Sequence, residues 1–203
     1  MARPSIKATY NKSMSDLAVV GRYLQKSKNL PPDMYGFVAE ILMLRVFSIL
    51  EGCVRDVSAR VACGASYRNG VISTPIIKCT SIQDALNRFK NEGRRKPLSY
   101  LRFTNVNHTN ESIKYIIDSS EPIRVKLSRY CAQFEEMRKV RNHIAHNYKN
   151  TYVDYKSVII GRYGAHLKLK PSVFLTSTKR QTRAIIDEYI INVRVIINDI
   201  TTG

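Results

Sequence analysis

The sequence predicts an all-α protein, an antiparallel helical bundle with a small β-hairpin inserted near residues 155–170. Three observations predict it. Apolar residues recur at helical spacing through both ends and the middle of the chain. Pro, Gly, Ser, Asp and Asn punctuate these stretches where helices begin and end. One segment, 153–175, reads differently: Val158-Ile159-Ile160, a Gly161-Arg162-Tyr163-Gly164 turn and the alternating His166-Leu167-Lys168-Leu169 suggest two short strands.

Taken in order, a first helix is expected from about Ser15 to Ser27, with Leu17, Val20 and Leu24 on one side. Pro31-Pro32 ends it and Asp33 caps the next, the longest element, which runs to about Ala62 before Gly64. Val38, Leu42, Val46, Ile49, Cys53 and Val57 line one face of that helix. A short helix from Ser81 to Asn91 has Asp84 three residues after Ser81 and Gly93 as its stop. Residues 94–120 read as irregular, with a brief helix near Ile113 to Ile117. Ser120, Glu121 and Pro122 open a helix expected to persist to His146, where Asn147 supplies a left-handed cap. After the hairpin, Ser177 is read as the cap of a final helix to about Ile200. The 203 residues fit a single domain, 1–203, carrying the insert.

Charge narrows the function. Lys and Arg number 33 against 16 Asp and Glu, a net charge of +17 that favours a phosphate-rich partner. The basic residues are spread along the chain rather than gathered beside one apolar helix, which argues against a membrane surface. The N-terminal MARPSIKATYNKSMSDL lacks the apolar core of a signal peptide, and even the apolar run Phe37 to Leu50 contains Glu40 and Arg45. The expected location is the cytoplasm. Cys53, Cys63, Cys79 and Cys131 have no paired C-x-x-C spacing, so they read as reduced, mostly buried residues, and no metal or other cofactor is expected.

The helix from Pro122 to His146 contains an anomaly. Ile123, Leu127, Tyr130, Phe134 and Met137 step by four and three, and the series calls for apolar residues at 141 and 144. Position 144 is Ile, but position 141 is Arg. Either Arg141 lies on the seam and needs an anionic partner, or Val140 takes over the seam and Arg141 reaches toward solvent. His146 follows five residues later, about 140° around a helix that turns about 100° per residue, close to the helix end. Asn142, at i, i+4 from His146, is placed to fix its tautomer, and His143 stands in the same relation to Asn147.

Arg141-Asn142-His143-Ile144-Ala145-His146-Asn147 resembles the signature of the HEPN ribonucleases: Arg, a polar residue, then His after four to six positions. The bare spacing also fits Arg138 with His143 and Arg102 with His108, but only Arg141 combines a following Asn, the end of a long amphipathic helix and an Ile-Ala-His run. The resemblance covers about 25 residues, and the remainder agrees in architecture alone. It implies an HEPN-like bundle and a metal-independent endoribonuclease with Arg141 and His146 as catalytic residues. Cleavage of RNA by its own 2′-hydroxyl needs a base, an acid and a cation for the phosphorane. Imidazole serves as base or acid, and Arg as a bidentate phosphate fork. One motif carries one His, so the resemblance also implies a homodimer with a composite site. It further implies RNA as substrate, and a toxin or anti-phage setting with a cognate antitoxin or regulatory protein as partner.

Asn142, His143 and Glu51 are the expected orienting residues, although Glu51 also fits an i, i+4 ion pair with Arg55. Arg138 and Tyr148 are expected to hold the RNA backbone or stack a base, or else to face solvent and pack in the bundle. His108 and His166 have no supporting context. Two rival functions stay open: a non-catalytic HEPN module binding RNA or a protein, and a basic helical protein that binds duplex DNA.

Overall fold

The computed structural model describes residues 5–179 and 182–203 and is all-α. Its helices are α1 (Lys7–Ser27), α2 (Pro32–Ala62), α3 (Ile82–Asn91), α4 (Val106–Ile113), α5 (Pro122–Ser128), α6 (Cys131–His146), α7 (Lys149–Tyr163), α8 (Pro171–Thr176) and α9 (Ile185–Thr202). Extended structure among the described residues is limited to the isolated bridges Ser5–Ser66 and Ser66–Ile72.

Local chemistry explains several boundaries. Pro32 opens α2 with Asp33 in the first turn, where a missing N–H and a negative charge both suit a helix start. Ser81 caps α3 by accepting the Asp84 N–H at 3.1 Å, and the Asp84 carboxylate accepts the Thr80 N–H at 2.9 Å. Asn147 ends α6 with φ 47°, its N–H donating to the His143 carbonyl at 2.9 Å.

Four expectations are corrected. The β-hairpin near 155–170 is instead the helix α7 with an irregular segment after it. Tyr155, Val158, Ile159 and Tyr163 are buried at helical spacing, and Gly164, at φ 70°, is the left-handed stop rather than part of a hairpin turn. The brief helix expected near 113–117 is α4, which ends at Ile113. The long helix expected from 120 to 146 is broken into α5 and α6. The Arg129 and Tyr130 N–H groups bond to the carbonyls three residues back, and Lys126 and Tyr130 both reach Asp199. Ser177 closes α8 rather than opening α9, which starts at Ile185. Residues 180–181, within the helix expected there, lie outside the described residues, as do the first four of the N-terminal run.

The chain divides into two compact units. One gathers the residues up to Met14, Leu50–Phe134 and Val195–Gly203. Its core includes Val54, Val57, Phe89, Ile113, Ile123 and Ile197. Glu121, only 4% exposed, is satisfied there by the Tyr67 hydroxyl at 3.1 Å and the Thr74 N–H at 3.2 Å. Burial beside that carboxylate pushes the Tyr67 phenol up.

The other unit comprises Ser15–Ile49 and Glu135–Arg194. Leu17, Val20, Leu24, Met43, Phe47 and Val140 are among its buried residues. Arg162 is its polar centre: it donates to Glu136 at 2.8 Å and Glu188 at 2.7 Å, while the Tyr189 hydroxyl also donates to Glu136 at 2.8 Å. Gly36 on α2 permits close approach of α8, since a Cβ at position 36 would lie 2.8 Å from the Cβ of Ser172.

Candidate functional site

The expected catalytic and orienting residues, apart from Glu51, belong to the second unit. Glu51 is a half-buried residue of α2 in the first unit, where Arg55 pairs with Asp56 at 3.0 Å.

On α6 the buried positions are Phe134, Met137, Val140 and His143, three residues apart. Val140 therefore takes the seam and Arg141 stands beside it, half-buried. Its guanidinium carbon lies 5.5 Å from the centre of the buried Phe47 ring, and Nη1 donates to the Asn142 side-chain oxygen at 2.9 Å. Asn142 thus steadies Arg141, not His146 as its spacing suggested. His146 is exposed on the last residue of α6, its ring nearly parallel to that of Tyr148 (8°, centroids 6.2 Å apart). Tyr148 is 70% exposed.

Arg138 is already neutralised. Glu135 binds it at two oxygens, 2.6 and 2.8 Å away, and Asp154 lies at 3.9 Å, so its charge is engaged within the helix pair.

His143 is 7% exposed and stacked on Tyr155 with centroids 4.8 Å apart. Its Nδ1 lies 3.3 Å from the Thr151 hydroxyl, not against Asn147. That hydroxyl donates to the Tyr148 carbonyl at 2.8 Å and accepts the Tyr148 N–H at 3.0 Å. The Tyr148 carbonyl also accepts the Tyr152 N–H at 2.9 Å, so the Thr151 hydroxyl can serve His143 as donor or acceptor. Burial lowers its pKa and favours the neutral ring.

His143 also lines a cavity of about 680 Å³. Ile144, Asn147 and Tyr148 contribute from the end of α6 and the turn after it, Lys149 and Tyr152 from α7. Lys168, Leu169 and Lys170 come from the irregular segment, which the Tyr155 hydroxyl anchors by donating to the Leu169 carbonyl at 3.2 Å. Pro171 and Ser172 at the start of α8 and Glu40 on α2 complete the wall. Neither Arg141 nor His146 lines it. Among the described residues Lys149, Lys168, Lys170 and Glu40 have no ion pair, so three cations and one anion face this space uncompensated.

Apart from His143 and Tyr148, sequence reasoning assigned none of these wall residues to a site. Lys168 is read from sequence only as an alternating position of a strand, and Glu40 as a charge interrupting an apolar run.

Of the four cysteines, Cys53, Cys63 and Cys79 are buried and Cys131 is exposed. Burial pushes the Cys53 thiol up to about 12 and the Cys79 thiol up to about 11. No group of three or more His, Cys, Asp or Glu in metal-holding range occurs among the described residues. No helix of the described residues is long and apolar enough to cross a membrane. Comparison of the chain with protein-family models, with curated proteins and with solved structures finds no match.

Proposed function

We propose that this protein is a cytoplasmic, metal-independent endoribonuclease of the HEPN type, acting as a homodimer in a toxin or anti-phage role. The observation that carries the reading is the pairing at the end of α6: a half-buried Arg141 steadied by Asn142 and Phe47, and an exposed His146 five residues on. A positioned guanidinium and an accessible imidazole are two of the three groups that RNA transesterification requires. The partner subunit's His146 supplies the third.

In this scheme one imidazole takes the 2′-hydroxyl proton as the 2′-oxygen attacks phosphorus. The P–O5′ bond breaks, and the other imidazole gives O5′ its proton. The Arg141 forks hold the non-bridging oxygens, whose negative charge grows in the phosphorane. The products are a 2′,3′-cyclic phosphate and a 5′-hydroxyl. Phe47 and Asn142 hold Arg141 before substrate arrives, so little reorganisation accompanies charge development.

Mixed dimers test the scheme. A wild-type protomer paired with a His146→Ala protomer should be severely impaired, because one of the two imidazoles is missing. Retention of half the wild-type activity would mean that each protomer works alone.

One observation favours a second reading, that of an RNA-binding module without catalysis. The lysines without acidic partners line a cavity that neither Arg141 nor His146 lines. RNA bound with unchanged affinity and never cut would support that reading.

A further inference from the structure

The cavity bounded by α6, α7, the 165–170 segment and α2 has a chemistry that the Arg141–His146 pairing does not use. At about 680 Å³ it falls within the roughly 300–1,000 Å³ range of small-ligand sites. Lys149, Lys168 and Lys170 bring three positive charges with no acidic partner among the described residues, which suits a phosphate. Tyr148 and Tyr152 are 70% and 36% exposed, leaving aromatic surface free to stack a planar base.

Glu40 is the informative residue. It is the one acidic residue of the wall, and it also has no ion pair or hydrogen bond among the described residues. In a site for a bare anion a carboxylate is a liability, since it repels the ligand. A carboxylate is an acceptor at both oxygens and therefore selects a ligand with two adjacent donors. Among the RNA bases only guanine offers this on its Watson–Crick edge, through N1–H and the N2 amino group. Adenine and cytosine offer one donor beside an acceptor, and uracil one donor between two acceptors.

We propose that this cavity is a guanine subsite for single-stranded RNA: Glu40 reads N1–H and N2–H, a tyrosine ring stacks the base, and the three lysines hold the adjoining phosphates. It rests on the reading of RNA as the substrate and adds the base preference. Because the cavity shares α6 with Arg141 and His146, a guanine seated there would fix which phosphate of the strand is presented for cleavage.

The test measures binding, not cleavage, using the full chain and short single-stranded 2′-O-methyl oligonucleotides, whose blocked 2′-oxygen prevents transesterification. Fluorescence anisotropy compares otherwise identical strands carrying one guanine, inosine or adenine. The guanine strand should bind about ten-fold tighter than either, the size expected of a two-bond base contact. Inosine lacks the N2 amino group and isolates one of the two bonds. Glu40→Gln, which keeps shape, should remove the preference while retaining binding. Lys168→Ala and Lys170→Ala should weaken all three strands equally and each reduce the salt slope by about one. Equal affinity for the three strands, or a preference that survives Glu40→Gln, would overturn the proposal. So would 5′-GMP competing as tightly as the strand, since the ligand would then be a free nucleotide. Cleavage of unmodified RNA without guanine preference would sink this subsite alone. Guanine preference without cleavage of unmodified RNA would sink the nuclease reading alone.

Discussion

Arg141 donates through Nη1 to the side-chain oxygen of its neighbour Asn142 at 2.9 Å, so the residue expected to orient the histidine instead orients the arginine. Asn142→Ala should therefore act through Arg141, lowering kcat on RNA by about ten-fold while leaving the pH–rate profile unchanged. Asn142→Asp, which pairs Arg141 with a full negative charge, should lower it further by drawing the guanidinium from the phosphate. A displaced pH–rate profile in Asn142→Ala would show that Asn142 acts on an imidazole after all.

The two histidines of the motif separate cleanly in environment. His146→Ala should reduce cleavage by about the 10²–10⁴-fold expected for lost acid–base catalysis. His143→Gln should cost much less, since His143 is buried against Tyr155 and tied to Thr151. Parallel rate measurements on the two variants check this, and a reversed order would reassign the catalytic histidine.

His143 also makes stability depend on pH. Its folded pKa is lowered by burial, so on acidification the unfolded chain takes up this proton first, near the ordinary value of about 6.5. Between that value and the lower folded pKa the unfolded state binds more protons, and stability falls as pH falls. Above the window His143 contributes no pH dependence. Urea midpoints between about pH 7 and pH 5 should drop more steeply in wild type than in His143→Gln, which cannot take up the proton. Parallel slopes would contradict the assignment.

The Glu136–Arg162–Glu188 cluster joins α6, α7 and α9 within the second unit, with the Tyr189 hydroxyl donating to Glu136. Removing one partner leaves charged groups poorly compensated where solvent reaches only in part. Arg162→Ala should cost about 2–3 kcal/mol in chemical unfolding, less than for a fully buried pair because the carboxylates keep some exposure. A loss below about 0.5 kcal/mol, typical of surface pairs, would contradict this.

Gly36 and Ser172 provide a packing test. Gly36→Ala gains about 0.5–1 kcal/mol of helix propensity but sets a methyl 2.8 Å from the Ser172 Cβ. The clash should win, with a net loss of about 1–2 kcal/mol. Ser172→Gly in the same chain should recover part of it. A stabilised single variant would show that α8 gives way freely.

Much of this architecture was legible because local chemistry and tertiary packing agree. The long α2, the Ser81 cap and the left-handed Asn147 are all readable from residue type and spacing. α7 was misread because Val158-Ile159-Ile160 and two nearby glycines are strand and turn signals taken by themselves. Its helical signal, Tyr155, Val158, Ile159 and Tyr163, is spread over nine residues that the hairpin reading cut in half. The break between α5 and α6 has no local signal, since Asp199, which Lys126 and Tyr130 both reach, is some seventy positions away. The cavity was illegible for the same reason. Glu40, Lys149 and Lys168 meet only in the folded unit, and periodicity cannot bring such distant positions together.

Metal-independent transesterification leaves its signature in the chemistry of the RNA ends. Wild-type protein and Arg141→Ala are incubated with single-stranded RNA in excess EDTA, and the product termini are identified by mass spectrometry. Wild type should cut and leave 2′,3′-cyclic phosphate and 5′-hydroxyl ends. Arg141→Ala should leave the RNA intact while still folding cooperatively, with a modest loss of stability from its lost contacts with Phe47 and Asn142. Cleavage that requires added Mg²⁺ and leaves 5′-phosphate ends, or that persists in Arg141→Ala, would rule out this mechanism.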